Sequence, residues 1–255
     1  MSRIVIGLFL SILFFPMSQA QQSPQLLFDE ANTLLENNDF ADAMTIYRQI
    51  EQGDEVSGAL FLNMGIASTQ IDSLGLAKYY FLMAMEFEST HDAATEALEY
   101  VESQFSRQSA TLPKLPWDKA VDLLIDGPGS TGVFFIGITL IIIAVGFVLV
   151  QWFNIIFLRK LSSIVSTLSI TGILILMLAF YIDYVDHRYS EAVIITAEVQ
   201  VKQKADETSD LVSLGYEGYS IIVDDLKSNE IEGWIYIRLG NGQFGWIENN
   251  GVKIL

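Results

Sequence analysis

Two stretches of unbroken hydrophobicity dominate the chain. Gly127 to Leu158 runs 32 residues without a charge and Leu161 to Ile182 another 22, with only Arg159 and Lys160 between them. Both are apolar on every face and long enough to cross a bilayer, so they predict membrane helices over 131–158 and 161–182, joined by a turn at 159–160. Lipid offers no hydrogen-bond partners, so the backbone of each segment must pair within itself, as a helix does. A shorter apolar run, Ile4 to Phe15, follows Arg3 and ends at Pro16, and Ser18-Gln19-Ala20 places small residues where a signal peptidase reads. Residues 1–20 therefore read as a cleavable export signal, with an uncleaved N-terminal anchor as the competing account.

Between these apolar runs the pattern is helical. Residues 24 to 107 resemble themselves when shifted by 34. Leu27, Ala31, Leu34, Ala43 and Tyr47 fall opposite Phe61, Gly65, Ser68, Ala77 and Phe81. A period of that length is one helix-turn-helix unit, in which small residues allow close helix approach and large aromatics fill the gap. The repeats span about 24–57 and 58–91. Ala94, Ala97, Leu98, Val101 and Phe105 predict a closing helix, which completes a helical domain over 21–110. In the linker 111–130, Trp117, Val121 and Leu124 share one helical face. Residues 116–126 then form a helix lying on the outer leaflet or an ordinary linker ending at Pro128.

After Arg188 the period shortens to two. β-Branched and aromatic runs cover Ala192 to Val201, Tyr219 to Val223, Gly233 to Leu239 and Gln243 to Glu248. Asn241-Gly242 predicts a tight hairpin whose central residues take positive φ. Alternation puts Ile235, Ile237 and Leu239 on one face and Trp234, Tyr236 and Arg238 on the other.

Charge changes the picture on two points. The net charge is −17 with only 14 basic residues, which argues against nucleic acid. Residues 21–130 hold 18 acidic and 5 basic side chains, and residues 183–255 hold 13 and 6. Arg159 and Lys160 are the basic pair nearest the membrane, so the positive-inside rule places the turn in the cytoplasm and both acidic bodies outside it. Trp152, Tyr181 and Tyr184 suit interfacial belts. Ser162, Ser166, Ser169 and Gly172 form a small-residue seam that can pack on Gly137, Ala144 or Gly146 or receive a partner's helix. With no cysteine there is no disulfide framework, thiolate metal site or cysteine nucleophile. Asp183, Asp186 and His187 are candidate cation ligands that read more simply as a solvated collar. No nucleophile elbow, P-loop or dinucleotide-binding pattern appears, so neither an enzyme nor a cofactor is expected.

The 34-residue units resemble the tetratricopeptide repeat. They depart from it at Glu30, at Ser68 and in having no proline after either second helix. The resemblance implies a protein-binding inner face carried by Phe28, Asn32, Leu35, Glu36, Leu62, Ile66, Thr69 and Gln70, several of which can instead pack on a neighbouring helix. No Lys or Arg is among them, so an apolar or basic partner is expected. Ala192-Val193-Ile194, Val199-Gln200-Val201, Leu214 to Gly218, Gly233-Trp234-Ile235 and Gly245-Trp246-Ile247 resemble a bacterial SH3-like barrel over 190–255. Tyr216, Tyr219, Trp234, Tyr236 and Trp246 are then either barrel core or an aromatic contact surface.

The expected fold class is thus a multidomain membrane protein: all-α tetratricopeptide-type hairpins, a two-helix transmembrane hairpin and a small all-β SH3-like barrel. That order of parts resembles the BatE-like members of the Bat (Bacteroides aerotolerance) operon family. The resemblance implies a non-catalytic scaffold in the inner membrane of a Gram-negative bacterium, with both terminal domains in the periplasm. It also implies work alongside von Willebrand factor A-type membrane proteins (BatA, BatB) and a BatD-like protein, linked to a MoxR-type ATPase and to stress or oxygen tolerance. The alternative is an envelope-anchoring module whose barrel binds peptidoglycan peptides.

Overall fold

The computed structural model describes residues 23–53, 55–107, 111–113, 115–153 and 161–255. The expected export signal at 1–20 and the basic turn at Arg159-Lys160 lie outside them.

Antiparallel helices α1 (Pro24–Glu36) and α2 (Phe40–Gln52) are followed by α3 (Gly58–Gln70) and α4 (Leu74–Met85), and α5 (His91–Gln104) closes the group. The 34-residue period is structural as well as sequential. Ser23 and Ser57 both cap a first helix, accepting from the backbone N–H of Leu26 and Leu60. Asn38 and Asp72 both turn the chain in the left-handed region, at φ of 66° and 58°. Ala31, Ala43 and Ala77 are fully buried, and the Phe81 ring occupies the space that a side chain at Gly65 would need. Ser68 is buried with its hydroxyl donating to the Met64 carbonyl at 2.7 Å. On α5, Ala94 and Val101 are buried, and Lys78 of α4 bridges to Glu102 at 2.8 Å.

Helix α6 (Pro116–Asp126) precedes two long apolar helices, α7 (Gly129–Trp152) and α8 (Leu161–Asp186), which pack against each other. Among the described residues these are the two helices long and apolar enough to cross a membrane. Their starting and ending turns are tied together by Ser130 Oγ donating to Asp183 Oδ1 at 3.1 Å. The small-residue seam is shorter than the sequence suggests. Gly172 lies against Gly137 and Ile141, and Ala144 is buried, but Ser162, Ser166 and Gly146 face outward.

The chain leaves α8 and enters a seven-stranded antiparallel sheet: β1 (Tyr189–Ile194), β2 (Glu198–Lys202), β3 (Leu211–Tyr216), β4 (Ser220–Asp224), β5 (Trp234–Leu239), β6 (Phe244–Glu248) and β7 (Val252–Ile254). Strand order is β3-β2-β6-β5-β4-β1-β7. The expected run Ala192–Val201 is two strands, β1 and β2, and both β3 and β7 fall outside the expected strand runs. Alternation on β5 holds, with Ile235, Ile237 and Leu239 buried. The β5–β6 hairpin differs in its turn. Leu239 and Gln243 close a loop of Gly240 to Gly242, and of the Asn241-Gly242 pair only Gly242 has positive φ, at 84°. Asn241 keeps an ordinary backbone because its side chain serves the turn, accepting from the Gln243 N–H at 3.0 Å.

The helical group and the sheet are interlocked. Val193 of β1 is fully buried within the α1–α5 core, and Ile195 packs against it. Helix α4 has no side-chain cap of its own. Instead the Glu217 carboxylate accepts from the Gly75 N–H at 2.8 Å, placing a negative charge at the positive end of the helix dipole. A Cβ on Gly75 would lie 2.6 Å from the Ile194 carbonyl oxygen, so only glycine permits this approach. At the other end of the contact the Phe105 ring covers Gly218, and the Arg107 guanidinium sits 3.9 Å from the Tyr216 ring centroid. We expect Glu217→Ala to cost about 1 kcal/mol, the usual effect of losing a helix cap. Gly75→Val should cost about 1–3 kcal/mol through overpacking. Both would appear as a lowered thermal midpoint of the detergent-solubilised protein, with faster hydrogen exchange in β1.

Candidate functional site

The inner helical face is partly consumed by its own fold. Asn32 Oδ1 accepts from the Tyr47 hydroxyl at 2.7 Å and from Asn63 Nδ2 at 2.8 Å, so Asn32 joins the two repeat units. Phe28 lies 6.0 Å from the Tyr47 ring, and Phe28, Leu35 and Leu62 are partly buried against the helical core. The Thr69 hydroxyl donates back to the Gly65 carbonyl. Glu36, Ile66 and Gln70 remain exposed. Of the eight candidates, these three are the ones that the structure presents outward.

The five aromatics fall in two places. Tyr216 and Tyr219 meet edge to face at 5.7 Å; Tyr216 takes Arg107 over its ring at the seam with the helices, whereas Tyr219 packs against the sheet core. Trp234, Tyr236 and Trp246 occupy one face of β5 and β6, opposite the buried Ile235, Ile237 and Ile247. Tyr236 is 5.3 Å from Trp246 and stacks 6.3 Å from Phe244, and Lys227 Nζ lies 3.9 Å from its centroid. None of the five candidates is among the fully buried residues of the sheet core. Phe244 belongs to this strip and was missed, although period-two alternation from Trp246 would have found it.

At the Trp234 end the strip opens into a groove. Two adjoining cavities of about 630 and 560 Å³ share Glu207, Trp234, Glu248 and Asn250. Asp206, Gly233 and Asn249 line one, and Glu198, Gln200 and Lys202 line the other. Four carboxylates thus surround an indole with one lysine among them. Asp206 is held below the usual carboxylate range by the Thr208 backbone N–H, with the Thr208 hydroxyl assisting, both at 2.8 Å. Such a lining suits an extended ligand carrying positive charge, since the indole face accepts either a cation or an apolar stem and the amides of Asn249 and Asn250 can pair with peptide groups. The elements that build it are β2, β5, β6 and the turn of 3₁₀ helix at Asn249–Gly251, together with the loop carrying Asp206 and Glu207.

Near the hairpin, His187 Nδ1 sits 2.9 Å from the Asp183 carbonyl oxygen and 3.7 Å from its carboxylate. The backbone hydrogen bond, and then the Asp183 charge, raise the imidazole above its ordinary pKa. Among the described residues no group of three or more metal-ligating side chains converges, so Asp183, Asp186 and His187 do not assemble into a cation site. The next residue, Arg188, pairs with Asp224 at 2.8 Å and also donates to the Tyr184 hydroxyl. Asp224 in turn accepts from the Lys227 N–H, capping the short helix α9 (Asp225–Ser228).

Burial pushes the Tyr47 phenol up to about 12, with Glu36 adding to the rise and Asn63 opposing it. Its folded pKa lies above the ordinary 10, so the stabilisation is complete below about pH 10 and is lost as pH climbs from there towards 12. Alkaline unfolding followed by circular dichroism should therefore begin above pH 10 and be reduced in Tyr47→Phe. Asn32→Ala leaves both Tyr47 and Asn63 without their shared acceptor and should cost about 1–3 kcal/mol by chemical denaturation. No protein-family model matches this chain, and no curated protein matches it.

Proposed function

We propose that the protein is a non-catalytic membrane scaffold that holds partner proteins close to a bilayer. The observation that carries this reading is the carboxylate-rimmed groove over Trp234, borne on a sheet that is locked to the helical group. A joined unit of this kind presents two binding faces at a fixed distance, the groove and the outward side chains Glu36, Ile66 and Gln70. Both faces are acidic or apolar, which favours partners with basic or apolar segments.

In this reading the helical group is tetratricopeptide-like and the sheet is an SH3-like barrel. Helices α7 and α8 cross the membrane as a hairpin. The contact between the bodies on either side of the hairpin supports one shared compartment for both, and the export signal and the basic turn support the periplasm of a Gram-negative cell as that compartment. The resemblance to BatE-like proteins supplies the partner class: von Willebrand factor A-type membrane proteins and a BatD-like protein, in a stress or aerotolerance complex linked to a MoxR-type ATPase. Metal chemistry, if the complex has any, then belongs to those partners.

The experiment is co-purification from membranes at native expression. Glu207→Lys with Glu248→Lys should remove partners that engage the groove, and Ile66→Asp those that engage the helical face, each leaving the protein folded in the membrane. Recovery of the unaltered protein alone would defeat the scaffold reading. Retention on purified cell wall, abolished by Trp234→Ala, would favour an envelope anchor instead.

A further inference from the structure

Helix α6 has an apolar flank that no described part of the chain covers. At 100° per residue, Asp118, Lys119, Asp122 and Asp126 gather on one side of it, and the apolar residues span the rest. The sequence places Trp117, Val121 and Leu124 on a common face, and the structure engages only the part of the apolar arc nearest the hairpin. Leu124 and Ile125 turn inward, packing on Val133 of α7 and on Ala179 and Ile182 of α8. Trp117, two turns nearer the N-terminus, and Leu123, at the edge of the arc beside the charges, are left uncovered and are 63% and 73% exposed.

We propose that this outer flank lies in the boundary between headgroups and acyl chains of the bilayer. The proposal rests on the reading that α7 and α8 span a membrane. Two observations favour lipid over a protein partner. First, the flank is continuous with the hairpin's own outward surface. The inner side of α6 touches Val133 and Ala179, and their neighbours Phe134, Phe135 and Phe180 form an exposed apolar belt at the same end. Second, the chemistry suits an interface: Trp117 sets an indole with an apolar body and a polar tip on the side of the helix away from Asp118, Asp122 and Asp126. With one lysine against three aspartates, α6 gains nothing from anionic lipid, so a zwitterionic surface suffices.

The placement has a consequence for the sheet. The Leu112 N–H, four residues before α6, donates to the Gly240 carbonyl at the β5–β6 turn at 2.8 Å. The depth of α6 in the interface therefore sets the height of that turn above the membrane.

The full chain contains no cysteine, so single cysteines can be introduced cleanly. Trp117→Cys, Leu123→Cys, Lys119→Cys and Ile173→Cys would each carry a nitroxide in the whole protein, reconstituted in phosphatidylcholine bilayers. Collision with oxygen is compared with collision with a water-soluble nickel chelate. Positions 117 and 123 should favour oxygen several-fold more than 119, and 173, on the exposed middle of α8, most strongly. Water-like values at 117 and 123 with a lipid-like value at 173 would overturn the inference and leave the spanning hairpin standing. A nickel-accessible 173 would remove the hairpin reading and this one with it. Labels at 117 and 123 shielded from both reagents would mean that protein covers the flank, which also overturns it.

Discussion

A helix that starts without a cap must find an acceptor for its first amide groups, and α4 finds it 142 residues away in sequence. The Glu217 carboxylate on Gly75 is a single hydrogen bond, but its geometry demands that β1 lie against the start of α4. That in turn buries Val193 in the helical core. A repeat array of two units has an open end, and such arrays normally need a third unit or a cap to hide it. Here α5 closes one side, with Ala94 and Val101 buried, and strand β1, through Val193, closes another. The sheet is thus part of the hydrophobic core of the helices, so the two bodies fold against one another.

The same logic extends to the junction with the long helices. Helix α8 runs into β1 through only His187 and Arg188. The Arg188 guanidinium bridges the last turn of the helix, at Tyr184, to Asp224 at the end of β4, and Asp224 is 7% exposed. A planar donor facing a carboxylate fixes direction as well as distance. A swivel at this point would break that pair and the Ser190–Asp225 bond beside it. Rotation of the sheet about the helix axis is therefore opposed by directed hydrogen bonds, and the orientation of the groove relative to α8 follows from them.

Much of this fold is legible from residues close together in the chain. The period of 34 marks the two units at about 24–57 and 58–91, because small residues recur at matching positions, Ala31 with Gly65 and Ala43 with Ala77. The two apolar runs mark α7 and α8, and alternation assigns the faces of β5. What escapes is every feature that depends on partners distant in sequence. Glu217 reads as a turn residue until α4 is brought to it, and Asn32 reads as a groove residue until Asn63 and Tyr47 converge on its oxygen. Tyr216 and Trp246 look equivalent in composition, but one faces Arg107 at the domain seam and the other faces outward beside Tyr236. The division of α6 into Leu124, turned inward, and Leu123, turned outward, depends on where the hairpin stands, and helical periodicity alone cannot supply that.

The distribution of charge gives the joined unit its chemical character. A net charge of −17 on a chain with 14 basic residues leaves most carboxylates without a partner of opposite sign. Two of the better-buried basic side chains, Lys78 and Arg188, are committed to internal pairs with Glu102 and Asp224. Arg107 and Lys227 lie over tyrosine rings. Cations are thus drawn into structural contacts, and the groove keeps four carboxylates against one lysine. A surface arranged in this way repels anionic ligands at long range and steers cationic ones, with a reach of about 8 Å at physiological ionic strength. A ligand rich in carboxylates would meet that repulsion before reaching Trp234, whereas a cationic one would be drawn towards it. The electrostatics of the groove therefore select against anionic ligands and for cationic ones, whatever their class.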